Sequence, residues 1–152
     1  MNNAIDDRWK KKGVTVWEPS KVHTDAIIGQ NVQIGAFSEI GPQVRIGNEA
    51  RIGAMCFIPE GISIGDREWI GPRCTFTNDR FPPSARDQWE TTTIGCGARL
   101  GAGVIIVCGV SIGENALVGA GSVVTKNIPP GETWAGCPAM KLNNRTKTKG
   151  GS

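Results

Sequence analysis

Residues 26–53 read AIIGQNVQIGAFSEIGPQVRIGNEARIG, and an isoleucine returns in them at every sixth position: Ile28, Ile34, Ile40, Ile46 and Ile52. Each is followed by glycine. A period of six fits neither the 3.6-residue turn of an α-helix nor the plain alternation of a strand. Outward from this stretch the beat begins at Val22 and runs on through Ile58, Ile64, Ile70 and Phe76. It resumes as Ile94, Leu100, Ile106, Ile112, Val118 and Val124. Eleven of these sixteen positions precede a glycine, the residue that permits a tight corner where a Cβ would crowd. Two residues ahead of most beats stands a small or branched residue, such as Ala26, Val32, Ser38, Cys56 or Ala98.

Six residues make one short flat strand and a corner. Three such steps close a triangular coil of eighteen, in which each aliphatic points inward and stacks on the residue eighteen away. The repeat therefore predicts an all-β parallel β-helix. Sixteen beats correspond to about five coils, a prism roughly 24 Å tall at ~4.8 Å per strand. The chain is expected to form one domain over 1–152: an N-terminal cap over 1–20, the β-helix over 22–125, and a short C-terminal extension over 126–152.

One stretch breaks the beat. Between Phe76 and Ile94 lie twelve residues more than one step requires, and Pro82 and Gln88 stand where core aliphatics would be needed. Twelve is a multiple of six, so the register survives. Residues 78–93 are therefore expected to protrude as a loop, and a loop on a rigid scaffold is a common place for function.

With the insertion removed, the outward residues sort into three faces. One carries Glu39, Phe57, Thr75, Ile105 and Val123; a second Gln33, Arg51, Trp69, Arg99 and Leu117; a third Ile27, Arg45, Ser63, Thr93 and Ser111. The first is apolar in its later coils and is expected to be covered by another subunit. Cys56 and Cys74, eighteen apart, should stack at one corner; the spacing would allow a disulfide, but in a reducing cytoplasm they are expected to serve as small fillers. Glu68 departs from the pattern because Ala50 and Ala98 hold the equivalent places above and below it. A carboxylate there should either pair with Arg67 or Arg73 or contact a substrate.

Composition narrows the function. A net charge of +3 with scattered Lys and Arg argues against nucleic acid as a partner. No apolar run approaches membrane length and no signal-peptide core is present, so the expected location is the cytoplasm. Five cysteines without a C-x-x-C pair, and a single histidine, His23, make a zinc site unlikely on these residues and rule out a three-histidine one. No metal is expected. His23 lies in the first coil and reads as a structural corner residue.

The repeat and its closing segment, VGAGSVVTKNIPPGETWAGCPAMKL (118–142), resemble the left-handed parallel β-helix acyltransferases over residues 20–140. The resemblance implies left-handedness, acetyl-CoA as co-substrate, and a homotrimer with active sites between subunits. Phe76-Thr77-Asn78-Asp79-Arg80-Phe81-Pro82 resembles an F-x-N-D-x-x-P loop of the branch that N-acetylates nucleotide-linked amino sugars, particularly dTDP- or UDP-linked 3-amino-hexoses. That implies a role in surface polysaccharide synthesis, with Asn78 and Asp79 orienting the ammonium or accepting its proton. Phe76, Arg80, Phe81 and Trp89 become candidate substrate contacts, Arg80 for a diphosphate and the aromatic rings for stacking. Pantetheine is implied beside Ala102 and Ala120, and the nucleotide end of coenzyme A near Lys126, Gly136 and Pro138. Lys141 or Arg145 is a candidate for the 3′-phosphate on charge alone. Cys137 stands where the family's G-N-P-A turn has asparagine.

Two other readings compete. A sugar O-acetyltransferase of the same fold would activate a hydroxyl and normally needs a histidine base, which the loop lacks. A non-catalytic structural prism, such as an ice-binding one, would need a flat repeated threonine face, and these faces mix Arg, Gln, Trp and Ser.

Overall fold

The computed structural model describes residues 6–143. Two-residue strands recur every six residues and stack in parallel, each on the strand one coil away. Face A stacks Thr15–Val16, Gln33–Ile34, Arg51–Ile52, Trp69–Ile70, Arg99–Leu100, Leu117–Val118 and Thr133–Gly136, and antiparallel Ala139–Lys141 closes its end. Face B stacks Lys21–Val22, Glu39–Ile40, Phe57–Ile58, Thr75–Phe76, Ile105–Ile106 and Val123–Val124. Face C stacks Ile27–Ile28, Arg45–Ile46, Ser63–Ile64, Thr93–Ile94 and Ser111–Ile112. The three columns of outward residues are those expected from the spacing.

The beat residues form the core. Ile28, Ile34, Ile40, Ile58, Ile70, Phe76, Ile94, Leu100, Ile106 and Val118 are each at most 1% exposed. Glycine follows the beat because the next coil's backbone lies against it. A Cβ on Gly35 would come within 2.5 Å of the Ala54 nitrogen, and one on Gly53 within 2.5 Å of the Pro72 nitrogen. The inner corner between faces A and B carries a second ladder. Ser20 Oγ and Ser38 Oγ donate to the Gly35 and Gly53 carbonyls at 3.1 Å. Cys56 Sγ and Cys74 Sγ continue it to Gly71 and Gly101 at 3.2 and 3.3 Å. The two cysteines are buried free thiols in serine-like positions.

The coil count needs correction. Face A is seven levels deep, not five. The beat begins one step earlier than Val22, at Val16, and Thr15–Val16 pairs with Gln33–Ile34. Trp17-Glu18-Pro19 replaces the glycine corner there, which hides the step in the sequence. A short helix, Asp7–Lys10, buries Trp9 over the open end. At the far end Ile128 bridges Ile112 and the strand Thr133–Gly136 adds the seventh level. Among the described residues, no helix is long and apolar enough to cross a membrane.

Candidate functional site

The interruption leaves at the corner between faces B and C, and the coil closes in register above it: Thr93 pairs with Ser63, Trp69 with Arg99. The loop is clamped on both sides. Below, Arg86 donates to Glu60 Oε2 from Nε at 3.0 Å and Nη2 at 2.5 Å. Above, Arg80 Nε donates to Glu90 Oε1 at 2.8 Å, and Arg80 Nη2 reaches Glu90 Oε2 at 3.3 Å and the Cys108 carbonyl. The hydrogen bonds to Glu90 are the main reason the Arg80 pKa is raised, and those from Arg80 the main reason that of Glu90 is lowered. Gly109 has φ +79°, and a Cβ on it would run into the Glu90 carboxylate and the Arg80 guanidinium. The latch therefore requires glycine at this corner.

Asp79 organises the loop from within. It accepts from the Phe81 amide at 3.1 Å, the Ser84 amide at 2.8 Å and the Ser84 hydroxyl. The Ser84 hydrogen bonds hold its carboxyl below the usual carboxylate range. A general base at pH 7 needs the opposite displacement. Asn78 is half-buried; its carbonyl accepts from the Glu90 amide at 2.9 Å, while its side-chain amide makes no hydrogen bond among the described residues.

Between loop and prism lies a cleft of about 490 Å³ lined by Gln43, Glu60, Gly61, Asn78, Arg86, Asp87, Trp89, Glu90 and Thr91. Glu60 and Glu90 are neutralised by Arg86 and Arg80, which leaves Asp87 as the carboxylate without an ion pair among the described residues. Glu60, Arg86, Asp87 and Glu90 were not among the residues expected from sequence. Glu60 carried a signal, since it lies eighteen residues before Asn78 and so directly beneath it. One level below Gln43, at the same corner, His23 Nδ1 pairs with Asp25, which also accepts from the Gln43 amide at 3.2 Å.

Several expected contacts are elsewhere. Phe76 is a core residue, 0% exposed, so it cannot touch a ligand; its place in the beat outweighs its place in the loop motif. Arg80 is committed to the latch. Phe81 stands out at the loop tip, 80% exposed and outside the cleft wall, whereas Trp89 lines it. Glu68 sits at the corner between faces C and A, away from the loop, and pairs with neither Arg67 nor Arg73.

The corner between faces A and B carries a different surface. Phe37, Met55 and Arg73 occupy its positive-φ position in the lower coils, and Gly103 and Gly121 occupy it in the upper ones. A Cβ on Gly103 or Gly121 would meet nothing within 4 Å, so a bare strip runs beside exposed Ala102 and Ala120. Gly136 continues the strip, its amide donating to Ser122 Oγ at 3.0 Å, with Pro138 exposed beside it. Lys126 lies across face B, at the loop's corner. Lys141 Nζ is held by Glu132 Oε1 at 2.7 Å, and Arg145 lies outside the described residues. Among the described residues no group of three His, Cys, Asp or Glu is placed to hold a metal ion.

Residues 25–60 and 91–126 match the family described as Bacterial transferase hexapeptide (six repeats). The prism is built of these hexapeptide repeats. Its coil is the left-handed parallel β-helix. The two matched stretches flank the loop, which the repeat does not include. The fold is similar to that of AntD, an N-acyltransferase from Bacillus cereus solved with dTDP and 3-hydroxybutyryl-CoA (TM-score 0.79, 23% identity, 92% of this chain and 88% of that one). It is also similar to perosamine N-acetyltransferase from Caulobacter crescentus, solved as a histidine-to-asparagine mutant with CoA and GDP-perosamine (TM-score 0.74, 23% identity, 86% of this chain). This chain spans 57% of the length of that protein. A hexapeptide-repeat acetyltransferase from Vibrio cholerae, solved with acetyl coenzyme A, shares 25% identity (TM-score 0.61, 93% and 79% covered). No curated protein sequence matches the chain significantly.

Proposed function

We propose that this hexapeptide-repeat protein is an acetyl-CoA-dependent N-acetyltransferase, acting on the amino group of a nucleotide-linked amino-deoxy sugar. A dTDP- or UDP-linked 3-amino-hexose fits the loop motif; the enzyme acts in the cytoplasm, and its product is used for surface polysaccharide. The observation that carries this reading is the loop cleft: the Asp87 carboxylate and the Asn78 side-chain amide, both without a partner among the described residues, and the Trp89 ring in one concavity. That set suits an ammonium group on a sugar ring. The neighbours' complexes with acyl-CoA or CoA and with nucleotide or nucleotide-sugar ligands support the same class.

The active assembly is a homotrimer with face B turned to the threefold axis. Phe57 and Ile105 are 42% and 40% exposed on that face, with Val123 half-buried above them. In that arrangement the loop corner of one subunit abuts the bare A–B corner of the next. Asn78, Trp89 and Lys126 then come from one chain, and Ala102, Ala120, Gly136 and Pro138 from its neighbour. The glycine strip suits an extended pantetheine arm because no side chain stands in its way.

The chemistry is a transfer from sulfur to nitrogen. The neutral amine attacks the thioester carbonyl, the C–S bond breaks, and the thiolate leaves. The amine proton passes to the departing thiolate or to water, because Asp79 is occupied and its carboxyl is held down. Asn78 accepts an N–H of the amine and aims it, so positioning supplies most of the acceleration.

A thiol-release assay against dTDP- and UDP-linked 3-amino and 4-amino sugars tests the reading. Turnover of an amine is expected, and Asn78→Ala should reduce it about tenfold or more with the assembly intact. His23→Ala should leave it unchanged. Activity on hydroxyl sugars alone, lost in His23→Ala, would establish O-acetylation through the His23–Asp25 pair instead.

A further inference from the structure

Face A carries a second concavity, of about 490 Å³, whose wall includes Arg51, Arg67, Glu68, Trp69 and Arg99. Arg51, Trp69 and Arg99 are in register on three successive strands, so the two arginines flank the indole at ~4.8 Å per step. Trp69 is 50% exposed, and no cation stacks on its ring among the described residues. Arg51, Arg67 and Arg99 are exposed and make no side-chain hydrogen bond or ion pair among them. Glu68 is 1% exposed, and neither carboxyl oxygen has a hydrogen-bond partner among the described residues.

An exposed arginine on a solvated face needs no explanation. Glu68 does, because a desolvated and unpartnered carboxyl costs free energy that alanine would avoid. Alanine is what the coils above and below use, at Ala50 and Ala98. The acid also stands in the wall of a groove where three guanidinium groups, unpaired among the described residues, and an open indole meet. Burial raises the Glu68 pKa to about 8, so at pH 7 the group is neutral and adds no negative charge to the groove. Glu49, exposed at the rim, is the other acidic residue in the lining.

We propose that this groove is a second binding site, for a phosphorylated ligand bearing a flat ring, of the nucleotide class. Arg51 and Arg99 clasp the phosphates as charge-assisted donors, Arg67 adds charge at the rim, and Trp69 supports the ring, while Glu68 beneath them leaves that positive charge unopposed. With face B at the trimer axis, face A points outward and the groove stays open.

Calorimetric titration of the full chain with inorganic pyrophosphate and with UDP tests this. A binding component for both probes is expected that weakens about tenfold or more in the Arg51→Ala/Arg99→Ala double variant and persists in Asn78→Ala. Trp69→Leu should weaken UDP and spare pyrophosphate. Amine turnover should be unchanged in the double variant. If that variant fails to fold, judged by circular dichroism, Arg99→Gln alone serves, since the side chain points to solvent. Double-variant isotherms matching wild type, or loss of both probes in Asn78→Ala, would overturn the site.

Discussion

Glu68 is a side chain whose cost can be measured directly. Its carboxyl is pushed from an ordinary 4.5 to about 8, first by desolvation and then by the charge of Asp66. Arg67 opposes the shift, as does the nearby Ala98 amide, which donates instead to the Gly95 carbonyl at 3.3 Å. Between pH 4.5 and 8 the folded chain holds this proton and the unfolded chain does not. Stability therefore falls as pH rises through that window, by at most about 1.4 kcal/mol per pH unit, and levels off above it. Glu68→Gln keeps the shape and removes the titration. Urea melts of the two proteins from pH 5 to 9 should show the wild type losing stability relative to Glu68→Gln up to about pH 8. Parallel curves would mean that Glu68 is ionised and paired in solution.

At the scale of elements, the Arg86–Glu60 ion pair fastens the loop to the coil below and the Arg80 hydrogen bond to the Cys108 carbonyl fastens it to the coil above, while the Arg80–Glu90 pair ties the two ends of the loop together. Arg80→Ala should release its upper half. The core lies elsewhere, so thermal unfolding should shift by only a few degrees, roughly the effect of 1 kcal/mol in a domain this size. Limited proteolysis should then cut within 77–92, and turnover should fall about tenfold as Asn78 loses its aim. Gly109→Ala, on a different coil, should give the same cleavage pattern, because a methyl group there occupies the latch. Uncut loops in both variants would mean that Asp79 and the Arg86–Glu60 pair suffice. The faces, the inward beat and the in-phase insertion could all be read from the sequence, because each depends on counting by six and eighteen. The partners inside the loop could not. Whether Arg80 meets a ligand or Glu90, and whether Asp79 serves as base or as turn anchor, depends on how an irregular segment folds back. No period constrains it. Phe76 shows the reverse case: the count made it core, and the loop motif misleadingly made it a ligand contact.

For the whole molecule, the decisive geometry is that the loop cleft and the glycine strip lie on opposite edges of face B. One chain cannot bring them together across the width of its own prism. In the proposed trimer, three chains with face B inward bring each loop corner to a neighbour's strip, so the proposed site draws on two subunits. Two defective chains should then rescue each other. Asn78→Ala damages the loop half, and Ala120→Trp blocks the strip half with a bulky side chain on an exposed corner. Each variant alone should be nearly inactive. When they are mixed in equal amounts, unfolded and reassembled, random assortment pairs an intact loop with an intact strip at about a quarter of the sites. The mixture should recover about that fraction of wild-type turnover, while mixing without reassembly recovers none. If each chain held a whole site, every subunit would keep its own lesion and the reassembled mixture would stay inactive.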